Sequence, residues 1–309
     1  MDWQQKSRKL LENEKQHDFD WLQKLNRSIA YIESHLDGTV DYSEAAKIAV
    51  CSVYHYQRFF SYIAEIPLSE YIRRRRLTLA AFELQNSDSK VIDIALKYGY
   101  DTPEAFSRAF KNMHDVAPTS ARNRRVLLKA YPRISFNISI KGDTEMKYRV
   151  EEIESLEMYG VETEICTIDN QNFTTVPEFW KTCRTDGTMD KIREASNLEA
   201  NVPLHAAIYN CTDTANSYMI GYFSPSSGAP KDFTALSIPA STWAVFPTEP
   251  LSMAEVAEQA GIMWKRIFTE WFATSGYQLA PNVPEMELHY NKGNGQFVTE
   301  IWIPVEKKK

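Results

Sequence analysis

Among its 309 residues the sequence has no run of 18 apolar ones, which excludes a membrane-spanning helix. The first 16 residues, MDWQQKSRKLLENEKQ, lack the apolar centre of a secretory signal. Cysteine is scarce. Cys51, Cys166, Cys183 and Cys211 lie far apart with no CxxC pair, so free thiols in a reducing, cytoplasmic setting are expected in place of a disulfide framework. The six histidines show no metal-ligand spacing, and no GxGxxG, Walker, HExxH or GxSxG motif occurs. Neither cofactor nor metal is expected, and no catalytic motif is present. What remains is a chain of 43% hydrophobic residues, long enough for two cores.

The net charge of −6 is unevenly divided: residues 1–129 carry +3 and residues 130–309 carry −9. The two halves are expected to meet different partners. The first half is helical in pattern. WLQKLNRSIAYIESHL places Trp21, Leu22, Leu25, Ile29, Ile32 and Leu36 on one face, and Asp37-Gly38 ends that helix. SVYHYQRFF at 52–60 then returns as TPEAFSRAF at 102–110. At an offset of 50, Ala45 pairs with Ala95, Ala49 with Gly99, Arg58 with Arg108 and Phe60 with Phe110. Each copy reads as a short helix, a tight turn and a second helix. Ser52 and Thr102 serve as N-caps, with Pro103 in first helical position.

The second helix of each copy has two faces. Tyr56, Phe60 and Ile63 form a buried stripe in the first, as do Phe106, Phe110 and Met113 in the second. Tyr54, Gln57, Arg58 and Ser61 are expected to point outward, like Glu104, Ser107, Arg108 and Lys111. Arginine and glutamine can each bond a base edge through two hydrogen bonds. Between the copies a single helix carries Arg73–Arg76, where Arg73, Arg75 and Arg76 are candidates for phosphates or for salt bridges to Glu70 or Glu83. Residues 21–126 resemble the DNA-binding domain of AraC/XylS-family transcription regulators, on the strength of LSEYIRRRRLTLAAFEL and IDIALKYGYDTPEAFSRAFKNMHDVAPTSAR. The resemblance implies two recognition helices in successive major grooves of double-stranded DNA, with RNA polymerase as a further partner. Glu104 reaches a base only by accepting from cytosine, so the first copy is expected to carry more of the sequence choice.

From Tyr131 the pattern changes. RISFNISI and MKYRVEEI read as strands joined at KGDT, after a junction at 127–130. Strands near 157–167 and 235–247 each precede a helix, near 176–195 (broken at Gly187) and from Ser252 to about Thr274, and then two further strands. Ser252 with Glu255 forms a capping box. The fold class expected is multidomain: an all-α double helix-turn-helix domain at 21–126, behind an extension of 1–20, then an α+β domain of two pseudo-symmetric βαββ halves at 131–309. On the strand EMELHY, Glu287 shares a face with Glu285 and His289. It is either an exposed acid or an anion set among rings for an organic cation.

ISFNISIKGDTEMKYRV, WKRIFTEWFATSGYQL and PEMELH…EIWIPV resemble the GyrI-like small-molecule-binding domain. That resemblance implies an effector pocket between the halves with Glu287 as its acid, and His289 stands where the family usually has tyrosine. Trp180, Tyr209, Tyr222, Trp264 and Trp302 are the aromatic candidates for its lining. The combined reading is a monomeric transcription regulator that senses a small organic effector. The alternatives are a hydrolase of reactive small molecules with Glu287 as general base, and an acidic surface that binds a protein.

Overall fold

Apolar side chains three and four residues apart form one stripe of a helix, and over residues 22–34 that stripe becomes α1, with Leu25, Ile29 and Ile32 fully inside. The computed structural model describes residues 22–136, 145–166, 171–212 and 215–308. The chain divides into two units, 1–138 and 139–309.

In the first unit α2 (Tyr42–Ile48) starts on Asp41, whose carboxylate accepts from the Ser43 and Glu44 amides. α3 (Val53–Ala64) is capped by Ser52, and α6 (Pro103–His114) by Thr102 with Pro103 in first position. α4 (Leu68–Asn86) links the repeats, and α5 (Val91–Lys97) and α7 (Pro118–Ala121) complete the second. α4 divides its apolar residues between two small cores. Leu68, Tyr71 and Ile72 join Tyr56 and Phe60, whereas Leu77, Ala80, Ala81 and Leu84 join Phe106 and Phe110.

The repeat runs at an offset of 49 up to the turn, one less than the sequence suggests. Val50 and Gly99 both take left-handed backbone, and Val50 N–H to Lys47 O matches Gly99 N–H to Leu96 O. Asp101 is the inserted residue, which restores the offset of 50 at Ser52 and Thr102. Gly99 also lies against Arg76, whose guanidinium would be 2.7 Å from a Cβ there.

The expected strand RISFNISI is not formed over residues 133–136; its remainder and the KGDT turn fall outside the described residues. Residues 128–136 instead lie along the helical unit as a strap. The Lys129 amide donates to His114 Nδ1 (3.2 Å), the Tyr131 amide to Thr78 Oγ1 (3.1 Å) and the Ile134 amide to the Tyr71 hydroxyl (3.2 Å). Asn26 holds both the amide and the carbonyl of Phe136, each at 2.9 Å. These side chains satisfy the amides that a ladder would have satisfied, so no strand partner is needed. Beneath the strap Arg75 pairs with Glu33 at 2.9 Å, with side chains 11% and 12% exposed, and donates to the Tyr131 carbonyl. Burial pushes the Glu33 carboxyl up, but hydrogen bonds from Arg75 and Tyr71 outweigh it and hold it below its ordinary value. Removing one member of such a pair strands the other charge. Arg75→Met is therefore expected to cost about 3–5 kcal/mol, measured by urea unfolding followed at the helical signal.

The second unit is one antiparallel sheet in the order β1-β6-β10-β9-β3-β4-β2-β5. The first half is β2 (Leu156–Cys166), α8 (Asn172–Thr185), α9 (Thr188–Ala195), β3 (His205–Tyr209) and β4 (Ala215–Phe223). The second is β6 (Ser241–Pro247), the two-residue β7 (Leu251–Ser252), α10 (Met253–Arg266), β8 (Tyr277–Leu279), β9 (Glu285–Gly293) and β10 (Gln296–Lys307). α10 continues through a π turn, Ile267–Trp271, into α11 (Phe272–Thr274). β1 (Arg149–Ile153) flanks β6 and β5 (Thr234–Ile238) flanks β2, so each βαββ half gains a strand and the halves meet at β3 and β9. The single strand expected over 235–247 is two, broken at Pro239-Ala240, and its pieces lie in opposite halves.

Two short connections bend this sheet. β1 and β2 are six strands apart, roughly 29 Å if flat, yet only residues 154–155 join them, a reach of about 11 Å. The link at 239–240 does the same for β5 and β6. The sheet must therefore curl into a trough. Its inner face packs on itself, with Ala207, Met219, Trp243 and Met286 essentially buried. The outer face meets the helices: Tyr159 donates to the Ile192 carbonyl of α9, and Trp180 of α8 to the Tyr218 hydroxyl.

Candidate functional site

Two sets of side chains carry chemistry, one in each unit. In the helical unit α3 and α6 are the second helices of the repeats, separated by α4, whose 19 residues span about 28 Å, of the order of one turn of duplex. On α6 the outward stripe stands as expected, with Glu104, Arg108 and Lys111 exposed and Ser107 half-buried. On α3 it does not. Tyr54 and Gln57 are buried, at 6% and 7% exposure, and Arg58 and Ser61 are half-buried. Arg58 folds back on its own helix, donating to the Tyr54 hydroxyl at 2.9 Å and lying 5.6 and 5.8 Å from the Tyr54 and Tyr62 ring centroids. Helical spacing places residues four apart on one side, which lets the Tyr54, Arg58 and Tyr62 side chains stack.

The arginine run is likewise divided. Arg73 is half-exposed and reaches Glu70. Arg75 and Arg76, expected at phosphates, are turned inward: Arg75 to Glu33 and the strap, and Arg76 to the carbonyls of Leu36 and Gly38. The planar fork of Arg76 satisfies carbonyls left open just past the end of α1. An open groove of about 550 Å³ beside Arg76, Leu96 and Tyr100 lies between the repeats; none of the residues expected to point outward on α3 and α6 lines it.

In the second unit the outer face of β9 presents Glu285, Glu287 and His289 in line, where the two halves meet. Glu285 is 3% exposed, and Glu287 and His289 are half-buried. Trp264, on the last turns of α10, donates its indole N–H to Glu287 Oε1 at 2.6 Å. Its ring stacks on Phe268, centroids 5.7 Å apart. From the other half, Trp180 sets its ring edge-on to His289 at 5.8 Å. His289 Nδ1 bonds Thr299 Oγ1 at 2.8 Å, and its backbone amide donates to His205 Nδ1 at 3.2 Å. Burial pushes His205 down to about 3, with His289 adding to the fall. Burial also lowers His289, against a smaller upward pull from Glu287. Both rings are neutral near pH 7.

The aromatic candidates do not all converge on Glu287. Trp180 and Trp264 do, through His289 and directly. Tyr222 stacks on the His205 ring at 4.8 Å. Tyr209 and Trp302 face the trough, because Ala207 opposes Met286 and Met286 opposes Trp302 across the ladder, which sets them on the opposite side from Glu287. There Tyr209 donates to Glu162. Trp302 donates to Glu300 at 3.0 Å, which also takes Arg149 through two bonds of 2.7 and 3.0 Å. Burial raises the Glu300 carboxyl, and Arg149 and Trp302 more than reverse it. Nothing in sequence marks Glu162, Glu300 or Arg149, since alternating acids on strands read as solvent-facing.

The helix-turn-helix domain family matches residues 45–124, and the family of integron-associated effector binding proteins matches residues 149–305. The regulatory protein SoxS of Escherichia coli (strain K12) is 38% identical over 96 residues, which are 31% of this chain and 90% of that protein. The HTH-type transcriptional activator AarP of Providencia stuartii is 38% identical over 98 residues, 32% of this chain and 73% of AarP. A putative bacterial transcription regulation protein of Staphylococcus aureus MU50 is similar in structure at 20% identity and a TM-score of 0.41, over 52% of this chain and 99% of that one.

Proposed function

The chain belongs to the AraC-type helix-turn-helix regulators and carries an integron-associated effector-binding domain, and from that premise we propose that it regulates transcription in response to an organic cation bound at Glu287. Glu287 is the observation that carries this reading. A half-buried carboxylate has lost much of its water, and Glu287 accepts a hydrogen bond from a neutral indole. It therefore retains attraction for a cation that can be desolvated cheaply, such as a quaternary ammonium with an aromatic body. Trp264 and Trp180 supply rings beside it. Binding changes transcription only if the cation favours one arrangement of the protein over another. α3 and α6 are the reading helices, and the protein acts where its DNA lies, in the cytoplasm.

Titration of the full chain with benzyltrimethylammonium, a cation that cannot lose its charge, tests the site. Glu287→Gln keeps the shape and an acceptor but removes the charge. It is expected to weaken binding at least tenfold, about 1.4 kcal/mol or more. Equal affinity in both proteins would remove Glu287 from the site.

A further inference from the structure

The Glu287 site holds a second polar group two residues along the same strand face. His289 fixes Nδ1 on Thr299 Oγ1, its ring is set edge-on to Trp180, and its backbone is anchored to His205. Its Nε2 takes no hydrogen bond from the described residues, although the ring is only half-exposed. A polar nitrogen in such a place is costly unless it is satisfied from outside the protein. Thr299 is 1% exposed and Trp180 is tied to Tyr218 at 2.9 Å, so the imidazole cannot easily turn to seek another partner.

Resting on the reading of Glu287 as a cation site, we propose that His289 is a specificity-determining residue that selects organic cations bearing a hydroxyl group about 7 Å from the charged atom. The distance follows from the strand, in which residues two apart on one face are about 6.6–6.8 Å apart. A hydroxyl suits either imidazole tautomer, because it can donate to a bare Nε2 or accept from a protonated one. The imidazole is neutral at pH 7, since burial lowers its affinity for a proton, and it therefore does not repel the cation that Glu287 attracts. A lipophilic cation with no polar group would bind Glu287 and leave Nε2 unsatisfied. That is a discrimination the site makes by hydrogen bonding and not by size.

The test compares benzyltrimethylammonium with (4-hydroxybenzyl)trimethylammonium by calorimetry at pH 7, using the full chain. The two share charge and bulk and differ by one hydroxyl. The wild type is expected to bind the hydroxylated probe about three- to tenfold more tightly, the worth of one neutral hydrogen bond. His289→Phe keeps a ring against Trp180 and is expected to bind the two equally. His289→Gln keeps a polar nitrogen and is expected to restore part of the preference, which guards against a loss that merely reports disturbed packing at Thr299. Equal binding of both probes by the wild type, or a preference that survives in His289→Phe, overturns the role of His289 and leaves Glu287 standing. Failure of the wild type to bind either probe overturns both readings.

Discussion

Gly160→Ala is expected to unfold the sheet unit at room temperature while the helical unit keeps its structure. Gly160 of β2 and Gly221 of β4 face each other in the ladder. A Cβ on Gly160 would overlap the Ile220 carbonyl oxygen and lie 2.7 Å from Gly221 Cα, and a Cβ on Gly221 would overlap the Tyr159 carbonyl oxygen. These are backbone atoms of adjacent strands, so no side chain can rotate away. Such a close approach of one backbone to another is one of the uses of strand glycine. Relief requires the strands to part, which would break up the β2–β4 ladder and expose the core around Met158, Tyr159 and Met219. A cost above about 4 kcal/mol is expected, a large share of the 5–15 kcal/mol that holds a typical domain. Trp180, Trp243, Trp264, Trp271 and Trp302 all belong to this unit, so a red shift of tryptophan emission at preserved helical dichroism is the signature. Gly221→Ala should behave alike. A Gly160→Ala protein with wild-type emission and melting would show that the strands can separate locally at little cost.

The helical elements were readable because their signals are local. Ser52, Thr102 and Pro103 announce helix starts through bonds within three residues, and the stripes of Leu25, Ile29 and Ile32 or of Phe106 and Phe110 need no distant partner to be recognised. The true offset before the turn is one less than the alignment suggests because Gly99 attracts alignment to the small Ala49, whereas the left-handed position in the first copy is taken by Val50, a residue with an unfavourable side chain for it. The strap departs from expectation for a different reason. RISFNISI alternates as a strand does, but its Ile134 and Phe136 amides are taken by Tyr71 and Asn26, partners 63 and 110 residues away. The break at Pro239-Ala240 was missed because the flanking residues are uniformly β-forming, and only the pairing shows that they serve opposite halves. At the proposed effector site, the face shared by Glu285, Glu287 and His289 is legible from strand alternation alone. The division of the aromatics between trough and outer face was not, since it depends on which strand opposes which.

Arg108→Ala is expected to lower affinity for DNA more than Arg58→Ala, the reverse of what residue types alone suggest. Arg108 is exposed on α6 beside exposed Glu104 and Lys111, and its guanidinium is available to a guanine edge at the cost of water alone. To reach a base Arg58 must first leave the Tyr54 hydroxyl and the rings of Tyr54 and Tyr62, contacts worth roughly 0.5–1 kcal/mol each where they are partly exposed. Gln57 is buried and must be uncovered before it can read an adenine. With a duplex selected from a random pool by the wild type, Arg108→Ala should cost about 1–3 kcal/mol and relax the choice at one position. Arg58→Ala should cost less, because removing the side chain also removes the need to undo those contacts. Lys111→Ala should weaken all sequences alike and reduce the slope of log affinity against log salt by about one. Competition binding at three salt concentrations measures all three effects. A larger loss for Arg58→Ala than for Arg108→Ala would mean that α3 rearranges on DNA at negligible cost, and that its folded-back arginine is no barrier to reading.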